Sequence, residues 1–266
     1  MTPVADYQPG ERLAGVPGEA FVTPAPTRLL RPEDTVILHV LRPLEPESFR
    51  RVRPTLEAFA AIRSPFVGGL IEAGYQANED PPYGWYVTAD HGHADMTGEL
   101  DRVGVLRAVA GAARGVHALH EAGLAHGGVS PVAIRPGPEG GVIDLPSVPA
   151  EPDGDGRILA ISDPALLDTV DPAVARGSRP SRASDLWSLG ATLHRALTGR
   201  LLHPDLPGDE PIVALQRVAF EPARVAEDLD PALADIVAWC VAAAPAQRPP
   251  SAAVLADQLD SVAGRR

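Results

Sequence analysis

The chain has 266 residues, 45% of them apolar, which suits one large domain or two small lobes around a sizeable core. Its net charge of −12 argues against nucleic acid or an anionic membrane as the main partner, because phosphate-rich surfaces would repel it. A single cysteine, Cys240, excludes an internal disulfide framework and suits a reducing cytoplasm.

The first 45 residues are rich in glycine, proline and short β-prone pieces, and Thr35 to Leu41 reads as a buried strand. A helix follows from about Pro46 to Arg63, with Phe49, Val52, Leu56, Phe59 and Ile62 at spacings of three and four. Pro54 inside it should bend or split it. Phe66 to Glu72 and Gly84 to Ala89 read as two strands joined by a polar turn. After Gly92 the pattern becomes helical. Leu106, Val109, Ala113, Val116 and Leu119 form one apolar face, and Gly123 is placed to stop that helix. Ala133 to Arg135 and Gly141 to Asp144 are short strand candidates around a glycine-rich turn, and residues 146–180 look irregular. A second strong helix runs from about Ser184 to Leu197, with Gly199 after it. The last two helices start at Asp230-Pro231 and at Ser251, each with an N-cap residue. The chain closes at Gly264-Arg265-Arg266, either a natural stop or a cut before a longer tail. No apolar run reaches the length of a membrane span, and the N-terminus lacks a charged-then-apolar signal pattern.

Three stretches in order carry a resemblance. Ala113 to His126 is similar to the helix that leads into a protein-kinase catalytic loop. Ser184-Asp185-Leu186-Trp187-Ser188-Leu189-Gly190 is similar to the start of the large helix beneath that loop. Pro245-Ala246-Gln247-Arg248-Pro249 is similar to the arginine-bearing segment near the kinase C-terminus. The chain thus resembles a bacterial, actinobacterial-type Ser/Thr protein kinase domain from about residue 7 to residue 262. The resemblance implies an α+β, bilobal fold, with a small β-rich lobe at residues 1–91 and a larger helical lobe at 92–266 forming one kinase-like domain.

At the chemistry positions the chain departs from that family. Phosphoryl transfer needs cradled phosphates, held magnesium and a carboxylate to orient the hydroxyl. The glycine-rich hairpin reads Leu13-Ala14-Gly15-Val16-Pro17-Gly18; it lacks the first glycine, and Pro17 removes an amide donor. All 23 basic residues are arginine, and the position of the phosphate-anchoring lysine falls at His39, a shorter and mostly uncharged group. Thr55 stands where the helix should offer a glutamate, with Glu57 pointing elsewhere. The catalytic loop reads His126-Gly127-Gly128, so its carboxylate is gone; Ser130 replaces the loop lysine and Ala133 the metal-binding asparagine. Asn78 is the chain's sole asparagine, so no register shift restores it. Asp144-Leu145-Pro146 stands in place of Asp-Phe-Gly, leaving Asp144 as a weak metal candidate or a residue that caps the turn.

The structural positions survive better. Asp185 matches the buried aspartate that holds the loop backbone, a role compatible with capping its helix. Arg248 matches the arginine whose glutamate partner is here Ala173, in Val170-Asp171-Pro172-Ala173; it either finds another acid or lies solvated. The resemblance therefore implies no catalytic residue, and the degenerate nucleotide positions are Gly15, Gly18, His39, Thr88 and Asp144. Its expectation is a pseudokinase and not an enzyme, holding no cofactor and serving as a scaffold or protein-interaction module in bacterial signalling. Its partner would be a signalling kinase or a phosphopeptide-reading domain, with Ser162, Thr169, Ser178 and Ser181 as phosphosites. The alternative is a nucleotide-binding sensor or a residual atypical Ser/Thr kinase using Asp144. His117 with His120, His91 with His93, and Asp153-Gly154-Asp155-Gly156 look like metal ligands only superficially and read as structural or loop residues.

Overall fold

The computed structural model describes residues 4–13, 19–25, 35–92, 96, 100–145 and 163–264. Two compact units divide it: the described residues of Met1–Ser64 and Gly68–His93 belong to the first, and those of Pro65–Val67, Ala94–Pro146 and Asp153–Arg266 belong to the second. One is a small antiparallel sheet with a helix and the other is larger and mostly helical, which is the α+β, two-lobed layout expected.

In the first unit β1 (Glu19–Pro24), β2 (Thr35–Leu41), β3 (Leu70–Gln76) and β4 (Tyr83–Ala89) pair antiparallel in the order β1-β2-β4-β3. Because strand side chains alternate, Val36, Leu38 and Val40 of β2 join Tyr83, Trp85 and Val87 of β4 in one apolar cluster. His39, Tyr86 and Thr88 fall on the opposite face, with His39 directly across from Tyr86. The third strand begins later than the sequence suggests. Phe66 and Val67 pair instead with the backbone of Ile143 in the second unit, and Gly68-Gly69 separates them from β3.

Helix α1 (Pro46–Ala61) runs through Pro54 without a break, contrary to the split the proline suggested. The proline ring is on the exposed side, while Val52, Leu56 and Phe59 are buried on the other, so packing holds the helix across the missing amide. Phe49 stacks on Tyr75 of β3, and the Tyr75 hydroxyl donates to the Leu44 carbonyl at 3.0 Å.

The second unit is built on α2 (Arg102–Glu121), capped by Asp101 and followed by Gly123 at φ 79°. Leu106, Val109, Val116 and Leu119 are fully buried along it, as the periodicity predicted. Small residues let the backbone of a hairpin approach: β5 (Ile134–Gly137) and β6 (Gly140–Ile143) pair in register Ile134 with Ile143, and Gly111 of α2 faces Gly141. Gly115 faces the Phe66 carbonyl and the Ile143 side chain.

Beyond the hairpin come two one-turn helices, α3 (Pro164–Leu167) and α4 (Pro172–Ala175), in a segment that read as irregular. Helix α5 (Arg182–Thr198) starts in a capping box between Ser181 and Ser184 and ends at Gly199 in the left-handed conformation. Gly190 of α5 lies against the buried Cys240. Helix α6 (Pro211–Phe220) packs Ala214 and Val218 with Leu167 and Leu206. Helices α7 (Pro231–Cys240) and α8 (Ala252–Ala263) start at the side-chain caps Asp230 and Ser251, where the sequence placed them. Among the described residues no helix is long and apolar enough to cross a membrane.

A Cβ on Gly115 would fall inside contact distance of the Phe66 carbonyl oxygen and of Ile143. Gly115→Ala is therefore expected to lower stability by about 1–3 kcal/mol through overpacking, read as a lower urea midpoint with an unchanged slope.

Candidate functional site

The segment from Leu124 to Ala133 leaves the end of α2 and is fixed from below by one carboxylate. Asp185, in the first turn of α5 and only 1% exposed, takes three donors. Its Oδ2 accepts from the His126 amide and from His120 Nε2, each at 2.8 Å, and its Oδ1 accepts from the Gly127 amide at 2.8 Å. The helix cap at this end is Ser181, so Asp185 is given over to the loop. His120 is thereby a structural residue of α2 and not half of a metal pair with His117.

His126 is buried and bridges two strands of backbone. Nε2 donates to the Asp144 carbonyl at 2.8 Å, and Nδ1 accepts from the Gly128 amide at 3.2 Å. Those roles define a neutral tautomer, and burial pushes its pKa below the usual histidine value, outweighing the opposing pull of Asp185. Gly127 sits at φ 70°, a conformation glycine adopts freely, with Pro180 close by. Gly128, where the family has its carboxylate, is exposed; Ser130 is buried, and Ala133 offers only its backbone, whose carbonyl accepts from the Asp144 amide at 2.8 Å.

Asp144 carries a guanidinium. Arg135 Nε donates to its Oδ2 at 2.9 Å and Nη2 lies 2.7 Å from the same oxygen. The magnesium that the resemblance implies does not fit this donor set: one carboxylate already holds a cation, and Ala133 has no side-chain oxygen to add. Among the described residues no three His, Cys, Asp or Glu side chains gather as a metal set.

Arg248 finds its acid. It is 5% exposed and pairs with Asp171, two residues before Ala173. It also donates to the Ala183 carbonyl at 2.7 Å and the Ala242 carbonyl at 2.9 Å, over the Trp187 ring. Asp171 caps α4 through the Ala173 amide at 2.6 Å. A further buried pair was not foreseen: Asp168 accepts from the Leu202 and His203 amides at 2.8 and 2.9 Å and meets His203 Nδ1 at 2.8 Å. No local sequence signal marks it, because its partners are more than thirty residues apart.

In the strand unit, His39 stacks on Tyr86 with ring centroids 4.3 Å apart and lies 3.4 Å from the Thr88 hydroxyl. Burial pushes its pKa down to about 3, so it supplies no positive charge at neutral pH. Gly15, Gly18, His93, Pro146, the run from Asp153 to Gly156, and Ser162 lie outside the described residues. Of the remaining phosphosite candidates, Ser178 and Ser181 are exposed, whereas Thr169 is buried with its hydroxyl donating to the Leu166 carbonyl at 2.7 Å. The fold does not offer Thr169 to another enzyme.

No family model matches the chain. Known proteins do. It is 29% identical over 263 residues to the DNA damage-responsive serine/threonine-protein kinase RqkA of Deinococcus radiodurans, covering 92% of this chain and 38% of that protein. It is 27% identical over 244 residues to the serine/threonine-protein kinase PknB of Mycolicibacterium smegmatis, covering 85% and 38%. A probable serine/threonine-protein kinase of Corynebacterium efficiens is 33% identical over 158 residues, covering 54% and 24%. The chain is a kinase-like domain, homologous to bacterial Ser/Thr protein kinases. It spans less than two-fifths of the length of these relatives. The comparison corrects the expectation that the chain is not an enzyme: each relative is named as a serine/threonine-protein kinase, which points to a kinase. The loss of individual catalytic groups from their usual positions does not by itself establish lost activity.

Two measurements follow from this geometry. Arg248→Ala leaves Asp171 buried without its cation and is expected to cost about 3–5 kcal/mol, measured by urea unfolding. For His39, the free imidazole titrates near 6.5 and the folded one near 3. Between those values only the unfolded chain takes up the proton, so the stability contribution is complete above the free value and falls as pH drops. The slope is about 1.4 kcal/mol per pH unit, and His39→Gln should remove that share from urea midpoints taken at about pH 7.5 and 5.

Proposed function

We propose that this chain is a signalling domain of the bacterial Ser/Thr kinase type that engages a partner protein, and that the phosphoryl transfer its relatives' names point to is here atypical. The observation that carries the reading is the contrast within one loop. The scaffold is complete, with Asp185 holding two loop amides and Arg248 paired to Asp171. The groups that would do the usual chemistry are replaced by Gly128, Ser130 and Ala133. A fold that keeps such a loop in shape without its usual side chains presents a fixed surface to another protein.

The division into a strand-rich lobe at residues 1–91 and a helical lobe at 92–266 belongs to the same reading, as does a cytoplasmic setting. The partner is a signalling kinase or a phosphopeptide-reading domain. Ser178 and Ser181 support this, being exposed and close to the start of α5, where added negative charge is favoured by the helix dipole.

The test uses radiolabelled ATP with magnesium or manganese in two arms. In the first, the chain alone is given a general protein substrate, and slow labelling that survives Asp144→Asn is expected. In the second, an active bacterial Ser/Thr kinase is added, and label is expected on Ser178 or Ser181, with the labelled chain retained by a phosphopeptide-binding domain. Fast labelling abolished by Asp144→Asn would show ordinary kinase chemistry instead; no label in either arm would refute the reading.

A further inference from the structure

The hairpin of β5 and β6 does more than carry Asp144. Its register pairs Ile134 with Ile143 and Arg135 with Val142, so Asp144 emerges opposite Ala133 and one diagonal step from Arg135. An arginine side chain spans that step, and here it delivers Nε and Nη2 to a single carboxylate oxygen, Oδ2, at 2.9 and 2.7 Å. The arginine side chain is 12% exposed and that of Asp144 is 32% exposed, so the pair is partly withdrawn from water and poorly screened. The guanidinium keeps its charge at every physiological pH and cannot step aside by losing a proton.

We propose that Arg135 is the resident cation of Asp144, standing where a divalent metal would sit and keeping magnesium and manganese off that carboxylate. A metal bound to Asp144 would compete with the guanidinium that already balances the carboxylate charge through Oδ2, and it would face a like charge within a few ångströms. The neighbouring position that would supply a second oxygen is Ala133, whose carbonyl is taken by the Asp144 amide. Charge balance at this carboxylate is thus covalently attached to the chain and independent of metal concentration. The inference concerns metal occupancy alone and stands whether or not the partner-engaging role above is correct.

The experiment is manganese binding followed by electron paramagnetic resonance on the full chain, with thermal unfolding in manganese or EDTA beside it. The unsubstituted chain should show no manganese binding that depends on Asp144, and no metal-dependent shift. The double variant Ala133→Asn/Arg135→Leu should bind manganese at least about tenfold more tightly, unfold at a higher temperature in manganese than in EDTA, and lose both effects when Asp144→Asn is added. If circular dichroism shows that the double variant does not fold, Arg135→Gln, which keeps a long polar side chain without the charge, is held to the same criteria. Manganese binding by the unsubstituted chain that disappears with Asp144→Asn would overturn the proposal. So would a folded variant that binds manganese no better than the unsubstituted chain.

Discussion

The Asp185 carboxylate is the interaction on which the rest of the candidate site depends. It gathers two successive backbone amides from a segment that has no regular structure of its own and the His120 imidazole from α2, and it does so from a helix fixed independently by its capping box. His120 and His126 are buried, so losing the acceptor leaves their donors unsatisfied away from water, and such groups are costly. The bond from His126 to the Asp144 carbonyl then passes that order on to the hairpin. A chain of fixed groups runs from α5 through the loop to the strand end, and Arg135 and Asp144 meet at its far side.

Two arginines show how the same charge serves different ends. Arg248 is buried among carbonyls and an aspartate and ties α4, α5 and the segment before α8 together. Arg135 lies nearer the surface, and its contact is with a single carboxylate oxygen. In a chain without lysine both tasks fall to a planar, multiply donating group that suits bidentate and stacked geometries. The substitution of partners around Arg248 is instructive. The resemblance places the acid at the position held by Ala173, whereas here Asp171, two positions earlier and the N-cap of α4, meets Arg248.

Much of the architecture was legible because the signals are local. The starts of α7 and α8 are written in Asp230-Pro231 and Ser251, and the ends of α2 and α5 in Gly123 and Gly199. The β2 boundaries match because Thr35 to Leu41 is a β-prone apolar run closed by Arg42-Pro43. What escaped depends on distance or on context. Pro54 does not break α1 because packing on the opposite face outweighs one missing amide. Helix α6 drew no expectation, since Ile212, Val213 and Phe220 are exposed and blur the apolar stripe. The partners of Arg248 and Asp144 lie 77 and nine residues away, and only the folded backbone reveals them. The correction about enzymatic activity has a different origin, since absent side chains say which groups do not act and are silent on which do.

The packing of Gly190 against Cys240 has a practical side. The lone thiol is fully enclosed, and burial pushes its pKa up to about 12, so almost none of it is the reactive thiolate at neutral pH. The side chains also offer no amine, because the sequence has no lysine. The folded surface is therefore close to silent toward the two reagent families most used to attach probes and crosslinkers. A cysteine introduced at any exposed position becomes a unique handle without removal of the native one, which makes this fold well suited to mapping, position by position, which face another molecule covers.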